Sequence, residues 1–301
     1  MSPGCAHCYA ETLSKRNPAV LGQLGNGKPR VMAKNWGDPV KWNREHQLNV
    51  DASHDGMYDG PAAVLRVNRP TVFPSLCDWL DEDVPVELFA RFLQLIQATP
   101  YLNWLLLTKR PELWRERLEK PSLAHLGGKA FFTLGDWIGG QAPPNVWLGA
   151  SIEDQPRASR VSDLLKIPAA GRFLSLEPLL GPVDLEPFMT HGRDITDEGY
   201  SRLGGIDWVI IGGESGHGAR PCNVEWIRSL VHQCKDASVP VFVKQLGARP
   251  IGRHNEALAG FPEHHIADNP IVGWKLTHPK GGDPDEWPMD IRVLEFPEGL
   301  R

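Results

Sequence analysis

Asp207-Trp208-Val209-Ile210-Ile211-Gly212 runs without a break into Gly213-Glu214-Ser215-Gly216, and that junction decides the fold. A strand with one wet face alternates apolar and polar residues. This one is apolar throughout, as expected of a strand buried on both faces of a parallel sheet. The pattern recurs at Asn103–Thr108 (NWLLLT), 145–151 (NVWLGAS), 172–177 (RFLSLE) and 239–244 (VPVFVK), with 63–67 (AVLRV) as a weaker sixth run. Helical patterns lie between them. Residues 86–99 set Leu88, Phe92 and Ile96 four apart, 111–118 open with a proline, and 223–235 repeat the spacing at Trp226, Leu230 and Cys234. Alternating strands and helices predict an α/β fold, a partial (β/α) barrel of about six parallel strands with right-handed crossovers.

Working outward, residues 1–248 carry this repeat. Within them 17–60, rich in Gly, Asn, Asp and Trp, read as a loop-rich insertion. Residues 249–301 have many prolines and charges with little periodicity, and read as an irregular extension packed on the barrel. Hydrophobic residues make up 41% of the 301 and charged ones 23%, which excludes a disordered chain. A net charge of -5 removes any whole-chain basic footprint for nucleic acid. No apolar run approaches the roughly 18–20 residues that span a bilayer, and the first residues lack a charged-then-apolar leader. The expectation is a cytoplasmic protein with no membrane partner. Five cysteines in such a chain argue against a disulfide framework.

Each strong strand ends in charged or hydroxyl side chains: Thr108-Lys109-Arg110, Ser151-Ile152-Glu153-Asp154, Ser175-Leu176-Glu177-Pro178, Gly212-Gly213-Glu214-Ser215 and Lys244-Gln245. Barrels and open α/β sheets build their sites at these ends. Glu177 needs a partner there, and Lys109, Arg110 or Lys244 can supply it, in a structural ion pair or in a catalytic role. Lys109 and Lys244 are also candidate contacts for an anion. Ser151 and its neighbours are either polar ligands for a ribose or a cap for a helix starting near Pro156. Gly212 and Gly213 allow backbone to approach a ligand, with Glu214 accepting from an amine or hydroxyl. Trp36 and Trp42, near Lys34, Lys41 and Arg44, either pack in the core or stack nucleic-acid bases.

Ser2-Pro3-Gly4-Cys5-Ala6-His7-Cys8-Tyr9-Ala10-Glu11 is the sharpest motif. A Pro-Gly turn delivers Cys5, and Cys8 follows where a helix begins, so helix-start amides favour two thiolates gripping one metal or cluster. By itself the spacing fits a redox pair, half of a zinc site or iron–sulfur ligands. Zinc lacks a second CxxC or a His pair to complete it.

Taken together, SPGCxxCYAE, LLLTKRP, SLEPLLGPVDL, DWVIIGGESGxGARP and FVKQLG resemble the phage-associated family called gp thirty-seven/sixty-eight, which looks like a branch of the radical S-adenosylmethionine (SAM) proteins. The resemblance runs from Ser2 to the vicinity of Gly247. It implies a 4Fe-4S cluster on Cys5 and Cys8 and SAM at the strand ends. Glu177, Glu214 and Lys109 would be catalytic, and Gly212, Gly213, Glu214, Ser215, Ser151 and Lys244 would contact cofactor. The implied chemistry is reductive cleavage of SAM to an adenosyl radical, followed by hydrogen abstraction. In that family a third cysteine precedes the equivalent of Cys5, at a place that falls before Met1. Either an upstream start supplies it, or Cys77 or Cys222 substitutes, or the chain is a cluster-less module that binds nucleic acid or a phage or mobile-element partner protein. Cys77 is expected to pack inside, and Cys234, continuing the Trp226 and Leu230 stripe, to be core.

Overall fold

The computed structural model describes residues 2–7, 9–18, 34–53, 69–120, 123, 132–189, 194–196, 199–201, 205–253 and 271–300. In chain order the strands are β1 (Thr71–Val72), β2 (Asn103–Thr108), β3 (Val146–Ser151), β4 (Gly171–Leu176), β5 (Asp194–Thr196), β6 (Gly199–Ser201), β7 (Trp208–Gly212), β8 (Cys222–Asn223), β9 (Val241–Gln245), β10 (Pro250–Arg253) and β11 (Ile271–Gly273). The helices are α1 (Tyr9–Arg16), α2 (Asp38–Ser53), α3 (Val86–Gln97), α4 (Trp114–Leu118), α5 (Leu134–Ile138), α6 (Ser159–Leu164), α7 (Glu186–Met189) and α8 (Val224–Asp236).

Six strands form one all-parallel sheet in the order β1-β2-β3-β4-β7-β9, the strand arrangement of a partial (β/α) barrel. Every residue of β3 and β4 is buried, which is why their sequences show no alternation. A second sheet orders β11-β10-β8, and β5 pairs antiparallel with β6. The chain divides into two compact units. One holds residues 1–7, 151–162 and 173–296, the other 8–150, 163–172 and 297–301.

In the second unit α3 buries Phe89, Phe92, Leu93 and Ile96, matching the expected face. Trp79 stacks on Trp137 at 5.8 Å, and the Trp137 indole donates to the Pro168 carbonyl at 2.7 Å, so this large ring is buried without an orphaned N–H. Trp36 lies 6.0 Å from Phe92, a packing role rather than a free stacking platform, while Trp42 is exposed. Residues 38–53, expected to be loop, form the helix α2. Its buried positions include Pro39 and Asn43, and Asn43 accepts a hydrogen bond from the Tyr101 amide at 2.8 Å. Val40 and Leu48 are exposed. A helix anchored this way carries no apolar stripe, so the periodicity gave no signal. The strand expected at 63–67 lies outside the described residues. Among the described residues the first strand of the sheet is β1, whose Thr71 pairs with Asn103.

In the first unit β9 is the outer strand of the large sheet, and the segment at 293–296 covers its edge. Val243 donates to the Val293 carbonyl at 2.8 Å and Glu295 to the Val241 carbonyl at 3.0 Å, satisfying groups that an open edge would leave bare. Phe296 closes an aromatic cluster with Trp208 and Phe242, at 5.4 and 5.1 Å. Helix α8 is capped by Asn223, which accepts from the Glu225 amide at 3.0 Å, and buries Ile227, Leu230, Val231 and Cys234. Among the described residues no helix is long and apolar enough to cross a membrane.

Candidate functional site

Pro3, Gly4 and Cys5 form a single 3-10 turn, with proline at its start and the Cys5 amide bonded to the Ser2 carbonyl at 2.9 Å. Two glutamates of the same unit hold this turn. Glu153 lies two residues beyond the end of β3, and its surroundings extend the strand pairing: Ile152 donates to the Ser175 carbonyl at 2.9 Å and Leu180 to the Glu153 carbonyl at 2.8 Å. The Glu153 side chain has 0% exposure. A buried carboxylate needs both a counter-charge and hydrogen bonds. Arg160 supplies the first at 2.9 Å to one oxygen, while also donating to the Ser151 carbonyl. The Ser2 hydroxyl supplies the second, 2.6 Å from the other oxygen. The same hydroxyl oxygen sits 3.5 Å from the Cys5 sulfur.

Glu214, two residues beyond β7, is 6% exposed and grips Arg220 bidentately. Arg220 Nη2 donates to Oε1 at 2.6 Å and Nε to Oε2 at 2.9 Å, and the Arg220 backbone amide adds a bond to Oε2 at 2.8 Å. Gly216 and Gly218, at φ 96° and 78°, reverse the intervening loop so that Arg220 returns onto the carboxylate. Burial by itself would raise the Glu214 pKa. The hydrogen bonds and charge of Arg220, with a further bond to His7, outweigh it and hold the pKa at about 2. Arg220 is raised in turn by its bond to Glu214. The pair reaches the cysteine turn at two points: Arg220 Nη1 donates to the Pro3 carbonyl at 3.0 Å, and His7 Nδ1 lies 3.2 Å from Glu214 Oε2. A carboxylate only accepts, so His7 carries its proton on Nδ1.

Of the three cations expected near Glu177, Lys244 is the one that pairs with it, at 3.1 Å. Lys244 is 53% exposed, which makes this a weak surface pair. Arg110 instead meets Asp78 at 2.7 Å and Asp81 at 3.6 Å, and the Lys109 amide bonds to the same Asp78. Gly212 and Gly213 have an internal explanation. A Cβ at 212 would stand 2.6 Å from Glu177 Oε1, and one at 213 would stand 2.1 Å from the Leu246 carbonyl oxygen. The Gly213 amide is committed to the Gln245 carbonyl at 3.0 Å, so the close approach is made within the chain. Ser215 is exposed and Ser151 buried. Asp154 makes no side-chain cap on the short 3-10 turn at Gln155–Ala158.

Cys8 lies outside the described residues, and Cys5 is half-buried. Burial pushes the Cys222 thiol up to about 12, and burial with the nearby Glu295 charge does the same to Cys234. In the metal-free chain burial keeps both thiols protonated. Cys77, expected inside, is exposed. Among the described residues no group of three His, Cys, Asp or Glu side chains is arranged to hold a metal ion. Sequence reasoning missed Ser2, His7, Arg160 and Arg220 as holders of the turn and named Glu153 only as part of a polar strand end. An acidic residue inside the run NVWLGASIE, with Gly4 in the motif facing it, was the available signal.

No curated protein and no solved structure gives a significant match to the chain. A family model does match, over residues 1–261, and by that coverage the chain belongs to the family described as "Protein of unknown function (DUF5131)".

Proposed function

We propose that this chain is a radical-SAM-like iron–sulfur protein of the gp thirty-seven/sixty-eight kind, with Cys5 and Cys8 as cluster ligands and its chemistry at the carboxyl ends of the parallel strands. The supporting observation is the anchoring of the Cys5 turn. Here Ser2, Pro3 and His7 each bond to one of two buried carboxylate–guanidinium pairs, built on the loops that follow β3 and β7. Two carboxylates taken out of water make an expensive support for a turn that only needed to be folded. They are well suited to a turn whose sulfur must be held in place.

A cluster at this turn would supply the electron for reductive cleavage of SAM. The chain's own residues contribute placement and charge. Glu153 and Glu214 fix the turn. The Glu177–Lys244 pair offers an exposed ammonium for an anionic group such as a carboxylate. A third ligand besides Cys5 and Cys8 is required.

The test is anaerobic reconstitution of this chain and of a form extended upstream in its reading frame, with iron, sulfide and zinc measured on both. Uptake of about four iron and four sulfide per chain by the extended form is the expected result. If neither form takes up iron, the proposal fails. Zinc in their place would make the CxxC a zinc ligand pair, and no metal at all would leave a nucleic-acid- or partner-binding module.

A further inference from the structure

We propose that Glu153 is the positioning residue for Cys5, with Gly4 and Ser2 as the two surfaces through which it acts. Glu153 is braced from behind, because Arg160 ties one carboxylate oxygen to the Ser151 carbonyl at the end of β3. Its other face is pressed against the cysteine turn. A Cβ built at Gly4 would stand 2.6 Å from Oε1, 2.9 Å from Cγ and 3.1 Å from Cδ of Glu153, so only glycine lets the turn lie flush on this side chain. The turn's conformation does not ask for glycine, since Gly4 has no positive φ. The requirement comes from Glu153.

Ser2 adds direction. The charged Glu153 has no proton to give, so the single hydroxyl hydrogen of Ser2 points to Oε1 across 2.6 Å. The serine oxygen then lies 3.5 Å from the Cys5 sulfur with its hydrogen already committed to Glu153. The serine therefore registers where the sulfur sits and does not donate to it. Glu153 thus sets the turn by shape at Gly4 and by a hydrogen bond at Ser2, while Arg220 holds the Pro3 carbonyl from the other side. The inference rests on the reading of Cys5 as a ligand only for what the sulfur holds.

Size complementation tests it. Gly4→Ala should overlap Glu153 and push the turn off, and Glu153→Asp, one methylene shorter, should make room for the added methyl. The probe is iodoacetamide at fixed pH on the cluster-free chain, read peptide by peptide, with exposed Cys77 as internal reference. Gly4→Ala should raise the Cys5 rate relative to Cys77 about tenfold, because the turn opens more often. The Gly4→Ala, Glu153→Asp double variant should return most of the way to wild type. An unchanged rate in Gly4→Ala, or no recovery in the double variant, overturns the proposal. If Gly4→Ala does not fold, Ser2→Ala decides: Cys5 alkylation should rise relative to Cys77, and Ser2→Thr should restore it. No rise in Ser2→Ala overturns the proposal. Iron content after reconstitution separates the two ideas. A wild-type chain that takes no iron but shows the alkylation pattern loses the cluster and keeps the positioning role. A chain that takes iron equally well with and without the variants keeps the cluster and loses the positioning role.

Discussion

Replacing Glu214 with glutamine isolates the less deeply buried of the two supports. The amide keeps the shape and one acceptor oxygen, but sets an NH2 group against the Arg220 donors and leaves the guanidinium without its counter-charge. The carboxylate is depressed from 4.5 to about 2. At about 1.4 kcal/mol per pH unit, that fall corresponds to about 3 kcal/mol of preference for the charged form in the folded state. Arg220 is 29% exposed and keeps part of its water, which trims the loss for Glu214→Gln to about 2 kcal/mol. The sign follows from the depression. Stability from this carboxylate is fully present above its unfolded value of 4.5 and is lost as pH falls from there toward about 2. Urea unfolding followed by tryptophan fluorescence should therefore show a gap of about 2 kcal/mol between wild type and variant near neutrality, shrinking below about pH 4. A gap under about 0.5 kcal/mol at neutrality, or one that stays constant into acid, would refute the account of Glu214 as a charged, Arg220-bound support.

Three further outcomes follow from burial and close packing. In the native chain near pH 8 a disulfide reagent should titrate Cys77 and Cys5 but not Cys222 or Cys234, whose thiols burial holds at about 12; all should react after denaturation. Because both are raised from 9.0, their contribution to stability is complete below that value and is lost as pH climbs toward about 12, so alkaline unfolding monitored by circular dichroism should begin within that window. Gly213→Ala would drive a methyl to within 2.1 Å of the Leu246 carbonyl oxygen, a contact with backbone that cannot rotate away. Its cost should be about 3 kcal/mol, seen as a drop in unfolding temperature, and a variant as stable as wild type would contradict the packing of the β7 and β9 loops.

Four strands of the large sheet were legible in the sequence. β2, β3, β4 and β7 fall within a residue of the apolar runs at 103–108, 145–151, 172–177 and 207–212, because a strand covered on both faces must be apolar at every position. The sequence also determined where chemistry would gather, since the charged residues cluster at the ends of those runs, and it marked Cys5 and Glu214 individually. Helix α2 was not legible, because Asn43 anchors it through one hydrogen bond rather than an apolar stripe. The cover over β9 was not legible either, because residues 293–296 bond to it partly through backbone that any sequence can offer, and nothing local marks Glu295 and Phe296 as partners of Val241 and Trp208. The supports of the cysteine turn were the least visible part. Ser2 meets Glu153 across 151 positions, His7 meets Glu214 across 207, and Arg220 meets Pro3 across 217. Local periodicity records which face of an element is buried. It holds no record of which distant side chain completes a buried charge, and only the folded chain, which has to satisfy Glu153 and Glu214 once water is gone, decides that.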